Sequence, residues 1–409
     1  MKKVRKDTKG RPLHKGEVYI RSKNLYCFAY TDSVKKRHYI YDADLLHLRA
    51  KEKQVERDRL DGIGYYINGR EDLNYAYERY LKTKTNLRNK TITNIVYAYE
   101  KHVQQGFGKR KLTSIRYSDI YLFYEDLIQS GLSLSSLGNI NGIISGIFDM
   151  AVKDNVIRSN PTSGVMRKLK KKYGYSEKRH ALTLEQERIF LNAVNSPKYS
   201  RWRTLMIFLF GTGCRISEAL GIRWVDLDFE KNTISINHGA SYGPVASKGF
   251  KTLYEINPTK TEAGTRMIPM IKEVREALLE EKKRQDEEGI HSVVEIGQYS
   301  GFVFFNRYGG LLKTDAVNYA IGNIVNEYNC EEDLNAVREG REPVYLPNFS
   351  CHVIRHTFCS RLCENETNLK VIQTVMGHTD IKVTMDIYAE VNEKYVQDHI
   401  GQINSKNIL

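Results

Sequence analysis

The chain has 409 residues, too many for one hydrophobic core, so two or three domains are expected. Its 63 Lys and Arg outnumber 49 Asp and Glu to give a net charge of +14, which points to a polyanionic partner such as nucleic acid or an acidic membrane surface. No run approaches the roughly 18 apolar residues of a membrane span, "MKKVRKDTKGR" leads into no secretory apolar segment, and six cysteines lack the paired spacing of a disulfide scaffold. A cytoplasmic protein with reduced thiols and no membrane partner is expected.

Residues 1–65 hold 17 Lys and Arg against 9 Asp and Glu, so the front of the chain is a basic module. Within it "GEVYIRS", "LYCFAYT" and "RHYIYDA" alternate and are rich in aromatic and β-branched residues, which predicts three short strands. "LLHLRAKEKQVERDRL", Leu45 to Leu60, predicts a helix. A sheet of this charge can enter a major groove while its cations hold phosphates; Arg21, Lys23, Lys35, Lys36 and Arg37 are the candidate DNA contacts, against the plainer reading of solvated strand-edge charges.

From about residue 70 to 165 the pattern is helical, clearest in the apolar stripe Leu137, Ile140, Ile144, Ile147, Phe148 and Ala151, which ends at Asn160-Pro161. "MRKLKKKYGYSEKRH", residues 166–180, is highly charged and lacks apolar periodicity, so it reads as a basic linker. From Ala181 onward the chain mixes helices with short strands at "NTISIN" and "TRMIPM". The stretches "HGASYGPVASKGFKTLYE" from His238 and "CEEDLNAVREGRE" from Cys330 read as surface insertions.

Four separated pieces carry chemistry. In "GTGCRISEALGIRW" two glycines break one helix and Arg215 opens the next, where a guanidinium beside the positive helix end can hold an anion; Glu218 is its obvious ion-pair partner. "NPTKTEAGTRMIPM" places Lys260 near a hairpin turn, within reach of a phosphate oxygen or a leaving group, with Lys248 and Lys251 close by in sequence. "SCHVIRHTFCSRLC" admits two readings. His352, His356, Cys359 and Cys363 have the spacing of a zinc face, whereas His352 and Arg355, one turn apart, aim two phosphate-seeking groups at one anion. Finally, in "MGHTDIKVTMDIYAEV", Tyr388 follows His378 by ten residues.

Arg215, Lys260, His352, Arg355, His378 and Tyr388, in this order and spacing, resemble the motif set of the tyrosine recombinases, the phage integrase family. The resemblance covers about residues 180 to 395. The helical region and linker before it look like that family's core-site binding domain and connector, and the basic sheet is similar to the arm-site domain of conjugative-transposon integrases. The resemblance implies a multidomain α+β fold: a three-stranded sheet with a helix (1–65), an all-helical core-binding domain (70–165), a linker (166–180), and a mainly helical catalytic domain with a small sheet (181–409). It also implies that the Tyr388 hydroxyl attacks a DNA phosphodiester to give a 3′-phosphotyrosine and a free 5′ hydroxyl, with Arg215 and Arg355 stabilising the charge that develops. In that scheme His352 assists the tyrosine proton, Lys260 protonates the leaving oxygen, His378 hydrogen-bonds the phosphate and Glu218 buttresses the site.

Integration and excision of a mobile element would then proceed through a Holliday junction. The partners would be double-stranded DNA at core and arm sites, a homotetramer, an excision factor and a DNA-bending protein. No metal, ATP or other cofactor is expected, because fixed cations can stabilise the transition state unaided. The phosphate clamp is the favoured reading of the His352 segment, since Arg355 would repel a divalent ion and no distant cluster completes four ligands. Two other readings remain: a type IB topoisomerase, and a DNA-binding regulator without chemistry, whose expected mark is a missing Arg or Tyr.

Overall fold

The computed structural model describes residues 5–31, 37–60, 72–85, 87–174, 180–245, 248–259 and 261–404, without the side chains of 58–60 and 393–404. Lys35, Lys36 and Lys260 lie outside the described residues. Two compact units are present, Met1–Glu177 and Lys178–Leu409.

The first unit opens with an antiparallel sheet of β1 (Glu17–Ile20), β2 (Leu25–Thr31) and β3 (Arg37–Asp42), covered by α1 (Leu45–Leu60). Side chains alternate across a strand, so the register decides which face is which. It sets Tyr19 beside Tyr26 and Phe28 beside Ile40, and these four pack with Leu45 and Leu48 of α1. The opposite face carries Val18, Tyr39 and Tyr41, which are about half exposed at 44%, 52% and 51%. Asp44 caps α1 by accepting the amides of Leu46 and His47. Arg49 on α1 donates to both carboxylate oxygens of the fully buried Glu17, tying helix to sheet. Arg21 and Lys23 stand exposed in the turn after β1, and Arg37 is exposed at the start of β3.

The helical part of this unit contains α2 (Leu73–Lys82), α3 (Asn89–Tyr99), α4 (Tyr117–Gln129), α5 (Leu134–Lys153) and α6 (Val165–Tyr173). The predicted stripe on α5 is its core face: Leu137, Ile144, Ile147 and Phe148 are wholly buried. The helix stops at Lys153, before Asn160-Pro161, where Asn155 takes a left-handed φ of 54°. Residues 166–173 are not a linker but most of α6. Val165 and Leu169, one turn apart, are both wholly buried in the helical core, and the lysines cover the other faces. Two apolar residues per two turns suffice to seat a short helix, a signal too thin to stand out among five basic neighbours.

The second unit packs α7 (Leu184–Val194), α8 (Ser200–Thr212), α9 (Ile216–Gly221), α10 (Lys272–Glu288), α11 (Thr314–Glu339), α12 (Cys351–Asn365), α13 (Leu369–Met376) and α14 (Ile381–Asn404) with two small sheets. One is β4 (Leu227–Asp228), β5 (Thr233–Ile236) and β8 (Arg266–Pro269); the other is the hairpin β6 (His238–Val245) and β7 (Lys251–Pro258). The two expected insertions are therefore regular structure. The His238 segment is the β6–β7 hairpin, and the Cys330 segment is the second half of α11. The strands flanking the Glu-Ala-Gly turn do not form a hairpin with each other, because β7 pairs with β6 and β8 with β5. The core is built on α8, whose Leu205, Met206, Phe208 and Leu209 are at most 1% exposed, against Leu220, Ile234, Ile268, Phe302 and Ile354. Burying each such side chain contributes about 1.5–3 kcal/mol, which fixes the elements that carry the polar site.

Candidate active site at the end of helix α13

Helix α13 ends in a Schellman turn, with His378 N donating to Gln373 O at 3.2 Å and Gly377 N to Thr374 O at 3.1 Å. Gly377 has φ of 63°, and a Cβ there would come within 2.9 Å of Arg266 Nη1, so glycine is required on both counts. The turn leaves three successive carbonyls, those of Val375, Met376 and Gly377, without helical donors. Each accepts from a different arginine. Arg266 Nε donates to Val375 O at 2.7 Å, Arg355 Nη2 to Met376 O at 2.6 Å and Arg215 Nη2 to Gly377 O at 2.9 Å. Three guanidiniums thus gather at the negative end of the helix dipole, where cations are favoured.

Each arginine has a reason to be there. Gly213 ends α8 with φ of 58°, and any Cβ would collide with the Phe358 ring. Its carbonyl takes Arg355 Nη1 at 2.8 Å, while Arg215 follows as the N-cap residue of α9. Glu218, 6% exposed, binds Arg215 Nη1 at 2.7 Å through one oxygen and Arg266 Nη2 at 2.9 Å through the other. Burial pushes the Glu218 carboxyl up, but the hydrogen bonds and charges of Arg266 and Arg215 outweigh it and hold it below its ordinary value. Arg355 is pushed down to about 10, by burial first and then by Arg215, and so stays charged at neutral pH.

His378 is 7% exposed, and burial followed by Arg355, Arg215 and Arg266 pushes it down to about 4. It is therefore a neutral imidazole at pH 7. Its Nδ1 lies 2.9 Å from the Thr384 hydroxyl, which can donate to it and leave the ring proton on Nε2. Thr384 is wholly buried on α14, one turn before Tyr388. Tyr388 is half-buried and packs on the cluster of Cys359, Cys363, Ile372, Met376 and Ile387. Among the described residues no hydrogen bond joins its hydroxyl to the arginines.

Of the sequence-predicted residues, Arg215, Glu218, Arg355 and His378 thus come together, and Tyr388 sits on the helix that holds His378. His352 is exposed on the first turn of α12, three residues before Arg355. Thr261, next to Lys260 in the chain, accepts from Thr379 at 3.1 Å. Lys248 is exposed between β6 and β7, and Lys251 is exposed at the start of β7. Cys359 and Cys363 face the core beside Tyr388. Thr384 was not singled out from sequence, and Arg266 entered only as the arginine of the "R-x-I-P" pattern that follows "PTKT", with no role given to it. Arg266 lies within the stretch "TRMIPM", but nothing in a strand pattern tells a buried arginine from a surface one.

Among the described residues, the one group of three possible metal-binding side chains is His14, Glu17 and Glu52, far from these motifs in sequence. Glu17 is already bound by Arg49, and the Glu52 carboxyl is pushed up to about 7 by burial first and then by the charge of Glu17.

Residues 180–395 match the phage integrase family, and residues 1–59 match the DNA-binding domain of Tn916 integrase. The transposase from transposon Tn1545 of Streptococcus pneumoniae is 27% identical, over 99% of this chain and 98% of its own length. The transposase from transposon Tn916 of Enterococcus faecalis is 26% identical over the same shares. Among solved structures, the Tn1549 transposon integrase in complex with a circular intermediate DNA matches with a TM-score of 0.69 and 25% identity, covering 80% of this chain and 99% of that one. A lambda integrase tetramer bound to a Holliday junction shares the fold, with a TM-score of 0.50 and 17% identity over 90% of this chain and 93% of that one. The family match spans more than half of the chain and contains every element of the arginine cluster: the chain belongs to the phage integrase family, the tyrosine site-specific recombinases.

Proposed function

We propose that Tyr388 is the nucleophile of this recombinase and that Arg215, Arg355 and His378 bind the scissile phosphate. The supporting observation is the convergence of two guanidiniums and a neutral imidazole on the last turn of α13, with Tyr388 on the helix that fixes the imidazole. The Tyr388 oxygen forms a bond to phosphorus as the bond to the 5′ oxygen breaks. The five-coordinate phosphorus between these states carries extra negative charge on its non-bridging oxygens, and preorganised cationic donors stabilise that charge without solvent reorganisation. Arg355 and Arg215 already spend part of their donor set on carbonyls, which fixes their planes before substrate arrives. Burial and the surrounding arginines hold the His378 imidazole neutral before DNA binds, with a ring proton on Nε2 to offer a phosphate oxygen.

His352, exposed one turn from Arg355, is assigned to accept the tyrosine proton, and Lys260 to protonate the 5′ leaving oxygen. The Thr261 to Thr379 bond beside His378 supports the latter assignment. A 3′-phosphotyrosine retains the bond energy of the cut strand, so a 5′ hydroxyl from a second duplex can reverse the step. Four such events on two paired sites need four protomers, with a Holliday junction between the two strand exchanges. Residues 1–65 are assigned to arm-site DNA through Arg21, Lys23, Lys35, Lys36 and Arg37, residues 70–165 to the core site with the basic 166–180 segment beside it, and residues 181–409 to catalysis. The reaction takes place on cytoplasmic DNA, with an excision factor and a DNA-bending protein setting its direction.

The test is a nicked duplex from the element end, which traps the covalent complex when the short cut strand is lost. Wild type should give a denaturant-stable adduct in the presence of chelator, and Tyr388→Phe should give none. An adduct that persists in Tyr388→Phe assigns the wrong tyrosine; bound DNA without any adduct in wild type returns the regulator reading.

A further inference from the structure

Arg266 is an unusual residue to find in a short strand. It is 7% exposed, and its guanidinium is committed on three sides: Nε to Val375 O at 2.7 Å, Nη1 to Gly264 O at 3.0 Å and Nη2 to Glu218 Oε2 at 2.9 Å. A buried ion pair is weak evidence for stability, since desolvation offsets much of the Coulomb gain. The partners explain its presence better. Glu218 is the carboxylate that holds Arg215, and Val375 begins the run of three carbonyls on which Arg215 and Arg355 hang. Gly264 closes the turn that follows Lys260. One planar fork therefore links the carboxylate that holds Arg215, the end of α13 on which Arg215 and Arg355 hang, and the turn that follows Lys260.

We propose that Arg266 is a positioning residue for strand cleavage, acting through Glu218 and the end of α13 to set the plane of Arg215 without touching DNA. The proposal rests on the assignment of Arg215 to the scissile phosphate. Lysine cannot substitute, because a single ammonium cannot meet three acceptors spread around a planar fork. With Arg266 replaced, Glu218 keeps only Arg215 as an ionic partner and turns toward it, and Gly377 O loses the neighbour that fixes its turn. Arg215 remains present and charged but is displaced from the position the phosphate requires.

The experiment measures adduct formation on the nicked duplex at saturating DNA, together with the DNA dissociation constant and thermal stability. Arg266→Lys should slow adduct formation roughly 10²-fold, the cost of an ångström-scale misplacement, while the dissociation constant stays within about twofold. If Arg266 acts through Arg215, adding Arg266→Lys to Arg215→Ala should slow the reaction by less than about threefold, because coupled residues are not additive. The proposal is overturned if Arg266→Lys costs the same factor in both backgrounds, or if the folded variant cleaves like wild type. Should Arg266→Lys not fold, Glu218→Gln, equal in size, must show the same loss and the same non-additivity. Absence of any wild-type adduct would instead strike the nucleophile assignment, so the two failures are distinct.

Discussion

At the scale of single residues, His378 separates two kinds of histidine. An imidazole near its ordinary value is partly protonated close to neutral pH, whereas burial and three arginines push His378 down to about 4. Its folded value of about 4 lies below the ordinary 6.5, so the unfolded chain binds the extra proton and stability falls as pH drops from about 6.5 toward 4. His378→Gln should lower the adduct rate by about tenfold yet leave the shape of its pH profile unchanged above about pH 5.5. The same variant should remove on the order of 2 kcal/mol of the stability that wild type gives up between about pH 7 and pH 5, measurable by urea unfolding at both values. A pH profile that flattens in the variant would mean that His378 does titrate in the reaction. The place of this histidine after Gly377 was legible, whereas its neutrality was not, since it depends on burial first and then on Arg355, Arg215 and Arg266 converging from α12, α9 and β8.

At the scale of elements, the sequence revealed periodic structure and concealed structure held by only a few side chains. The three strands of the first unit and the stripe of α5 were visible because their apolar residues repeat over several turns or pleats. Helix α6 was not, because Val165 and Leu169, its wholly buried residues, are interleaved with five Lys and Arg. Leu169→Ala should therefore cost about 2–5 kcal/mol, read from the first unfolding transition of the full chain, while exposed Lys171→Ala should be nearly silent. A silent Leu169→Ala would show that α6 is seated by something other than its apolar pair. The β6–β7 hairpin was missed for a different reason: its glycines, Gly239 and Gly243, imitate a loop, although Gly239 sits where a Cβ would press to 3.0 Å from the Ser217 carbonyl.

At the scale of the whole molecule, net charge of +14 is a statement about binding and its salt dependence. Replacing Arg21, Lys23, Lys35, Lys36 and Arg37 together with Gln should weaken arm-site binding and lower the slope of log affinity against log salt by about 0.9 for each phosphate that is no longer neutralised. Core-site binding should hardly change; an equal weakening on both sites would deny the front sheet its separate DNA. The second unit carries a different kind of collective property. Arg215, Arg266 and Arg355 come from α9, β8 and α12, yet all three guanidiniums are moored to Val375, Met376 and Gly377. Shifting the end of α13 by a little more than the length tolerance of a hydrogen bond would break one bond of each guanidinium together, while Gly213, Gly264 and Glu218 keep hold of their other donors. The end of one short helix is therefore a common reference point for three side chains that the sequence keeps far apart, and a displacement there is felt by all of them at once.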